Sequence, residues 1–194
     1  MANYQLAISN IAWHKEDDEA VYTAMQQAGF TGLEIAPTRI FPEMPYENLT
    51  SALLFGGYLK NQWGFSVPSM QSIWYGQTGN IFNPADAEHL LDYTAEAFSL
   101  VKRLDNPGLA VNLDLSTMLA QGEKLQNFVD DLKYVSHVHI SEPGLAPIQK
   151  RPEHKELALL LGAVGYRGFV SVEMARTDLD TVKRTLDYVA EVFQ

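Results

Sequence analysis

Three short stretches set acidic and imidazole side chains into otherwise apolar runs at a spacing of two. In AVNLD (110–114), Asn112 and Asp114 alternate with Val111 and Leu113; in VSHVHISE (135–142), His137, His139 and Ser141 alternate with Val138 and Ile140; in FVSVEM (169–174), Ser171 and Glu173 alternate with Val170 and Val172. A period of two is that of a β-strand, whose neighbouring side chains point to opposite faces. Asp, His and Glu delivered from three strand ends are the donors of a divalent metal site. Each residue alone also has a plainer role open to it. A lone aspartate at a strand end serves as a turn former or helix cap, paired histidines serve as hydrogen-bonded structural groups, and inward polar residues satisfy one another inside a small barrel.

Positioning these residues requires strands that alternate with helices. Strands are predicted at 4–13, 30–36, 65–76, 109–114, 135–142 and 168–174. Helices are predicted at 16–29, from Asn48 to about 64, from Pro84 to about 105, near 121–134, at 153–164 and from Asp178 to Phe193. The acidic cluster Glu16 to Glu19 suits a helix N-terminus, Gly29 a stop, Pro84 a first helical position and Asp178 or Asp180 a cap. Six βα units in series predict a parallel sheet with helices outside it. In a doubly wound sheet both faces lie under helices, so strands read as continuous apolar runs. The polar parities above need a face free of helices, and a barrel interior supplies it. The expectation is therefore an α/β fold with six parallel strands surrounded by helices, a shortened TIM-like barrel forming one domain over 1–194.

Composition narrows the function classes. The chain has 194 residues, no cysteine and a formal net charge of −10. Thiol catalysis, disulfides and zinc thiolate clusters are excluded, and the acidic field disfavours nucleic acid. No run approaches the length of a membrane-spanning helix and no leader pattern opens the chain, which predicts a cytoplasmic protein with no membrane partner.

The segments SNIAW (9–13), GLEIAPTRIFP (32–42), PSMQSIWYGQTGNIF (68–82), LAVNLDLSTM (109–118), HVHISEPGLAPI (137–148) and GYRGFVSVEM (165–174) resemble the xylose isomerase-like TIM barrel family of sugar phosphate isomerases and epimerases. The resemblance runs over nearly the whole chain. It implies eight strands and about 250 residues, so about two βα units are absent. The segment AEHLLDYTAEAFSLVKRLD (87–105) reads as the family's third outer helix joined to the end of its fifth, which removes the fourth and fifth strands. The lost fifth strand carries a glutamate that in the family binds metal and moves a proton. By position, Asp114 matches the family's sixth-strand ligand, His139 the seventh-strand ligand and Glu173 the last-strand glutamate, which is both a ligand and the catalytic base. Where the family often has a substrate histidine, three residues past the aspartate, this chain has Thr117.

The resemblance implies a divalent metal, Mn²⁺ or Mg²⁺ first and Co²⁺ or Zn²⁺ next, bound more weakly by three ligands than by four. It also implies isomerisation or epimerisation of a sugar or sugar phosphate through an enediolate, isomerisation being the easier with one glutamate lost. His14, Glu34 and Gln71 from the first half, and His137, Glu142, His154 and Arg176 from the second, are the further candidates for lining the substrate, with Trp74-Tyr75 as a sugar platform. Glu34 or Glu142 would have to replace the lost glutamate as a second base. Two other classes stay open: a catalytically silent remnant acting as a binding or structural oligomer, and, less favoured by the charge, an endonuclease of the related abasic-site type. Open edges left by the missing strands predict a homodimer or higher oligomer.

Overall fold

The computed structural model describes residues 4–43, 49–71 and 93–194. Trp74, Tyr75, the end of the third predicted strand and the start of the helix predicted from Pro84 lie outside them. The elements are β1 (Gln5–Ser9), α1 (Asp18–Gln27), β2 (Gly32–Glu34), α2 (Pro37–Ile40), α3 (Leu49–Tyr58) running into a π turn (Leu59–Trp63), α4 (Thr94–Leu104), β3 (Val111–Asp114), α5 (Leu115–Gln121), a 3₁₀ stretch (Leu125–Tyr134), β4 (Val135–Ser141), α6 (Pro152–Ala163), β5 (Phe169–Glu173) and α7 (Leu179–Phe193). Among the described residues no helix is long and apolar enough to cross a membrane.

The strands form one parallel sheet in the order β2-β1-β5-β4-β3. Its two faces divide by parity. Leu6, Ile8, Leu33, Leu113, Val138, Ile140, Val170 and Val172 point one way and are at most 2% exposed. They share a core with Val21 and Met25 of α1, Leu157 and Leu161 of α6, and Val182, Leu186 and Val189 of α7. The other parity carries Ala7, Ser9, Glu34, Asn112, Asp114, His137, His139, Ser141, Ser171 and Glu173, joined across the sheet by register. Burial of the apolar face anchors the strands, so the polar face can be given over to chemistry.

Among the described residues the sheet has five strands where the sequence predicts six, and it is not closed. In the described part of the third predicted strand, residues 65–71, two isolated parallel bridges reach the β2 segment, Gly32 with Ser66 and Ile35 with Met70. Between them stands Pro68, which has no N–H for a ladder. Hydrogen bonds resume on either side of it, from Leu33 N to Ser66 O (2.9 Å) and from Gln71 N to Ile35 O (2.9 Å). The offset between partners grows by one residue from the first bridge to the second, the signature of a bulge.

A second correction concerns the helix expected near 121–134. The α-helix there is α5, which starts directly after β3 because the Asp114 side chain caps it, accepting from Thr117 N at 3.1 Å. Gly122 ends it with φ of 66°, a left-handed conformation that glycine adopts without steric penalty. The residues that follow wind as 3₁₀ helix, with Leu125, Phe128 and Leu132 buried.

Candidate metal centre

β4 lies between β3 and β5, and its inward residues have neighbours on both sides. His139 is in register with Asp114 on β3 and Ser171 on β5, and Ser141 is in register with Glu173. The three residues carried over from the family therefore meet at the C-terminal ends of adjacent strands. Glu173 Oε2 lies 3.1 Å from His139 Nδ1, and Asp114 Oδ2 lies 3.6 Å from the same nitrogen.

The two roles open to Asp114 turn out to use different oxygens. Oδ1 accepts from Ser116 Oγ (2.6 Å), Ser141 Oγ (2.9 Å) and Thr117 N (3.1 Å), which makes it the helix cap. Oδ2 is then held facing His139. Ser141 also accepts from Ser116 N at 3.0 Å, locking the β4 end to the start of α5.

His139 Nε2 faces the opposite way, 3.0 Å from Glu34 Oε2 at the end of β2. His137 Nε2 lies 3.0 Å from that same oxygen, and Ser69 Oγ donates to it at 2.5 Å. Glu34 is 1% exposed. Its other oxygen, Oε1, is buried without a hydrogen-bond partner. Ser69 and Ser116 are site residues not singled out from the sequence, and Asn112 and Ser141 were placed there on the polar strand parity without a role. Ser69 reaches Glu34 because of the bulge: the offset of the first bridge would place Pro68 beside Glu34, and the added residue brings Ser69 level with it. Asn112 Nδ2 approaches His139 Nδ1 at 3.2 Å.

Charge is concentrated here. Burial pushes the Glu34 carboxyl up, but hydrogen bonds from His137 and His139 outweigh it and bring it down to about 2. Burial likewise opposes ionisation of Asp114, while bonds from His139, Ser116 and Ser141 hold its carboxyl well below the usual range. For His139, burial disfavours the cation, yet hydrogen bonds to Asp114, Glu173 and Glu34 push the imidazolium up to about 12. The carboxylates thus favour a positive charge between them, which either a proton on His139 or a divalent cation supplies. Asp114, His139 and Glu173 have donor atoms within 4.8 Å of one another. Two carboxylates and an imidazole fit Mn²⁺ or Mg²⁺, with Co²⁺ or Zn²⁺ also served.

The remaining candidates are dispersed. Gln71 Nε2 donates to Ser9 Oγ in a short contact at the rim above β1. Glu142 is 2% exposed and clamped by Arg151, whose Nε and Nη2 approach its oxygens at 2.6–2.9 Å. His154 is fully buried in α6 with Nδ1 2.9 Å from Tyr188 Oη. His14 and Arg176 are exposed. A cleft of about 300 Å³ lies between α4 and β3; Asn112, Asp114 and Thr117 form its polar end, and Ala97, Leu100 and Val101 are among its apolar walls. That volume is at the lower end of small-molecule sites.

No family model and no curated protein sequence matches the chain. Solved structures do. The chain is similar to D-psicose 3-epimerase from Clostridium cellulolyticum H10, with 15% identity and a TM-score of 0.69 over 98% of this chain and 99% of that one. It is similar to 3-keto-D-glucoside 4-epimerase from E. coli, with 13% identity and a TM-score of 0.68 over 97% and 99%. It is also similar to a xylose isomerase domain protein from Alicyclobacillus acidocaldarius, with 12% identity and a TM-score of 0.61 over 97% and 96%. At these identities the likeness shows the fold alone, a TIM-type α/β barrel that is incomplete and open among the described residues.

Proposed function

We propose that this protein is a divalent-metal-dependent isomerase of a sugar or sugar phosphate. The supporting observation is the convergence of Asp114 Oδ2 and Glu173 Oε2 on His139 Nδ1 at the C-terminal strand ends. Three solved structures of the same fold, two sugar epimerases and a xylose isomerase domain protein, support the same reading.

A bound Mn²⁺ or Mg²⁺ would polarise adjacent carbonyl and hydroxyl oxygens of a ketose or aldose. Glu173, with 15% of its side chain exposed and Oε2 turned to His139, has its other oxygen for the proton beside the carbonyl. It would take that proton to leave an enediolate and return it to the neighbouring carbon, while the hydroxyl proton passes to the former carbonyl oxygen. Asp114 is fixed by three donors on Oδ1, so its second oxygen keeps its aim without substrate. His139 is oriented by Glu34 through Nε2.

Isomerisation is favoured over epimerisation because, among the described residues, the second base has no good candidate. Glu34 is 1% exposed with three donors on one oxygen, and Glu142 is 2% exposed and paired with Arg151. A single base on one face suffices for a 1,2-proton shift. Thr117, at the polar end of the cleft, stands in place of the family's substrate histidine, so sugar preference is expected to differ from the family's usual one. The exposed Leu49, Leu53 and Leu54 of α3, each 69–71% accessible, support self-association as a dimer or higher oligomer.

The test is Mn²⁺ binding by the full chain, followed by NMR of ketoses and ketose phosphates in D₂O. Expected are a thermal shift with Mn²⁺, its loss in Asp114→Ala, and deuterium entry at the carbon beside the carbonyl that is lost in Glu173→Gln. Absence of both metal binding and exchange across the sugars tried overturns the proposal. Light scattering that shows only monomer at micromolar concentration removes the oligomer.

A further inference from the structure

His139 presents one ring nitrogen to each of two donor sets. Nδ1 faces Glu173 Oε2 at 3.1 Å and Asp114 Oδ2 at 3.6 Å. Nε2 faces Glu34 Oε2 at 3.0 Å, and that oxygen is 3.0 Å from His137 Nε2. In each set the donor atoms lie within 4.8 Å of one another. The two imidazole rings stand almost perpendicular, at 88°, with both Nε2 atoms directed at one carboxylate.

A neutral imidazole has one lone pair and one N–H. Whichever nitrogen takes a cation, the other must donate, so His139 cannot serve both sets at once. We propose that Glu34, His137 and His139 Nε2 form a second cation site, suited to Zn²⁺, and that filling it empties the Asp114–His139–Glu173 site. The proposal rests on the metal role given above to that first site.

The surroundings satisfy both states. With a cation at Nδ1, the Nε2–H donates to Glu34; with a cation at Nε2, the Nδ1–H donates to Glu173, already at hydrogen-bond distance. Ligating histidines nearly always place their second nitrogen on such an acceptor. Glu34 also has a free buried oxygen, Oε1, with no hydrogen-bond partner. His137 is 14% exposed, which gives an ion a path in. The two sets differ in kind: two imidazoles and one carboxylate favour Zn²⁺, whereas two carboxylates and one imidazole favour Mn²⁺ or Mg²⁺. Zinc would then inhibit by taking the lone pair of a histidine that the manganese site needs.

The experiment uses the electron paramagnetic resonance signal of free Mn²⁺ with the full chain. Zn²⁺ added to the Mn²⁺-loaded protein is expected to release Mn²⁺, and His137→Gln, whose amide still donates to Glu34, is expected to require at least about tenfold more Zn²⁺ while keeping its Mn²⁺ affinity. His137→Phe provides a second variant without a donor. Calorimetry should find Zn²⁺ binding retained in Asp114→Ala and weakened in both His137 variants. Equal release from wild type and His137→Gln overturns the proposal, since zinc would then simply replace manganese in the first site. Zinc binding without manganese release overturns the exclusivity. Wild type that binds no Mn²⁺ instead removes the first-site assignment, and zinc calorimetry on the variants then decides the second site alone.

Discussion

The carboxylates on the two sides of His139 are built differently. Glu34, on the β2 side, is 1% exposed and takes three donors on one oxygen. Asp114 and Glu173, on the β3 and β5 side, are 27% and 15% exposed, and Asp114 divides its work between an anchored oxygen and a free one. The buried side resembles a strut and the open side a working surface. A carboxylate sealed among donors is hard to recruit for proton transfer, while a half-open one can meet substrate.

Removing one carboxylate from each side tests this contrast most strongly. Glu34→Ala leaves two histidine nitrogens and the Ser69 hydroxyl without their acceptor, and loss of one partner of a buried ion pair costs about 3–5 kcal/mol. Glu173→Ala removes a partly exposed group and should cost about 1 kcal/mol or less. Urea unfolding of the metal-free proteins measures both. Equal losses would mean that the two sides carry the fold alike.

This difference in depth also governs what could be read from the sequence. Asp114, His139 and Glu173 were legible because strand parity and the family resemblance act locally, and adjacent strands in register bring them together. Glu34 was visible as a candidate but not as a partner of His139, from which 105 residues separate it. Its contact depends on how the sheet carries the end of β2 across β1 and β5 towards β4. Ser69 was hidden for another reason. A one-residue bulge reverses side-chain parity, and a strand read straight through Pro68 places the wrong residue beside Glu34. The same proline explains why a sixth strand was expected and a pair of bridges is found.

A smaller effect should appear in the pH dependence of stability. The His139 pKa rises from 6.5 to about 12 on folding, so its contribution is full below pH 6.5 and is lost progressively as pH rises towards 12. The Glu34 pKa falls from 4.5 to about 2, so its contribution is full above pH 4.5 and is lost as pH falls towards 2. Metal-free protein should therefore melt highest near pH 5–6. Between pH 7 and 9 its melting temperature should fall, and His139→Gln should flatten that slope. Mn²⁺ should offset the same decline, because the cation replaces the proton among the carboxylates. An alkaline slope unchanged by His139→Gln would place its origin elsewhere.

The finest test compares two serines that each donate to a carboxylate oxygen. Ser141 Oγ holds Asp114 Oδ1 at 2.9 Å and accepts from Ser116 N, so Ser141→Ala removes one of the three donors on the carboxylate whose other oxygen faces His139 Nδ1. Outer-shell losses of this kind typically weaken metal binding about 10–100-fold, and the low end is expected because Ser116 and Thr117 still hold Oδ1. Ser69→Ala removes a donor from Glu34, where both histidines remain. Mn²⁺ affinity should then change less than about threefold, while stability drops by about 1 kcal/mol. Calorimetric Mn²⁺ titrations of the two variants read the difference directly. If Ser69→Ala weakens Mn²⁺ as much as Ser141→Ala does, the two sides of His139 are one coupled network, and the distinction between strut and working surface fails.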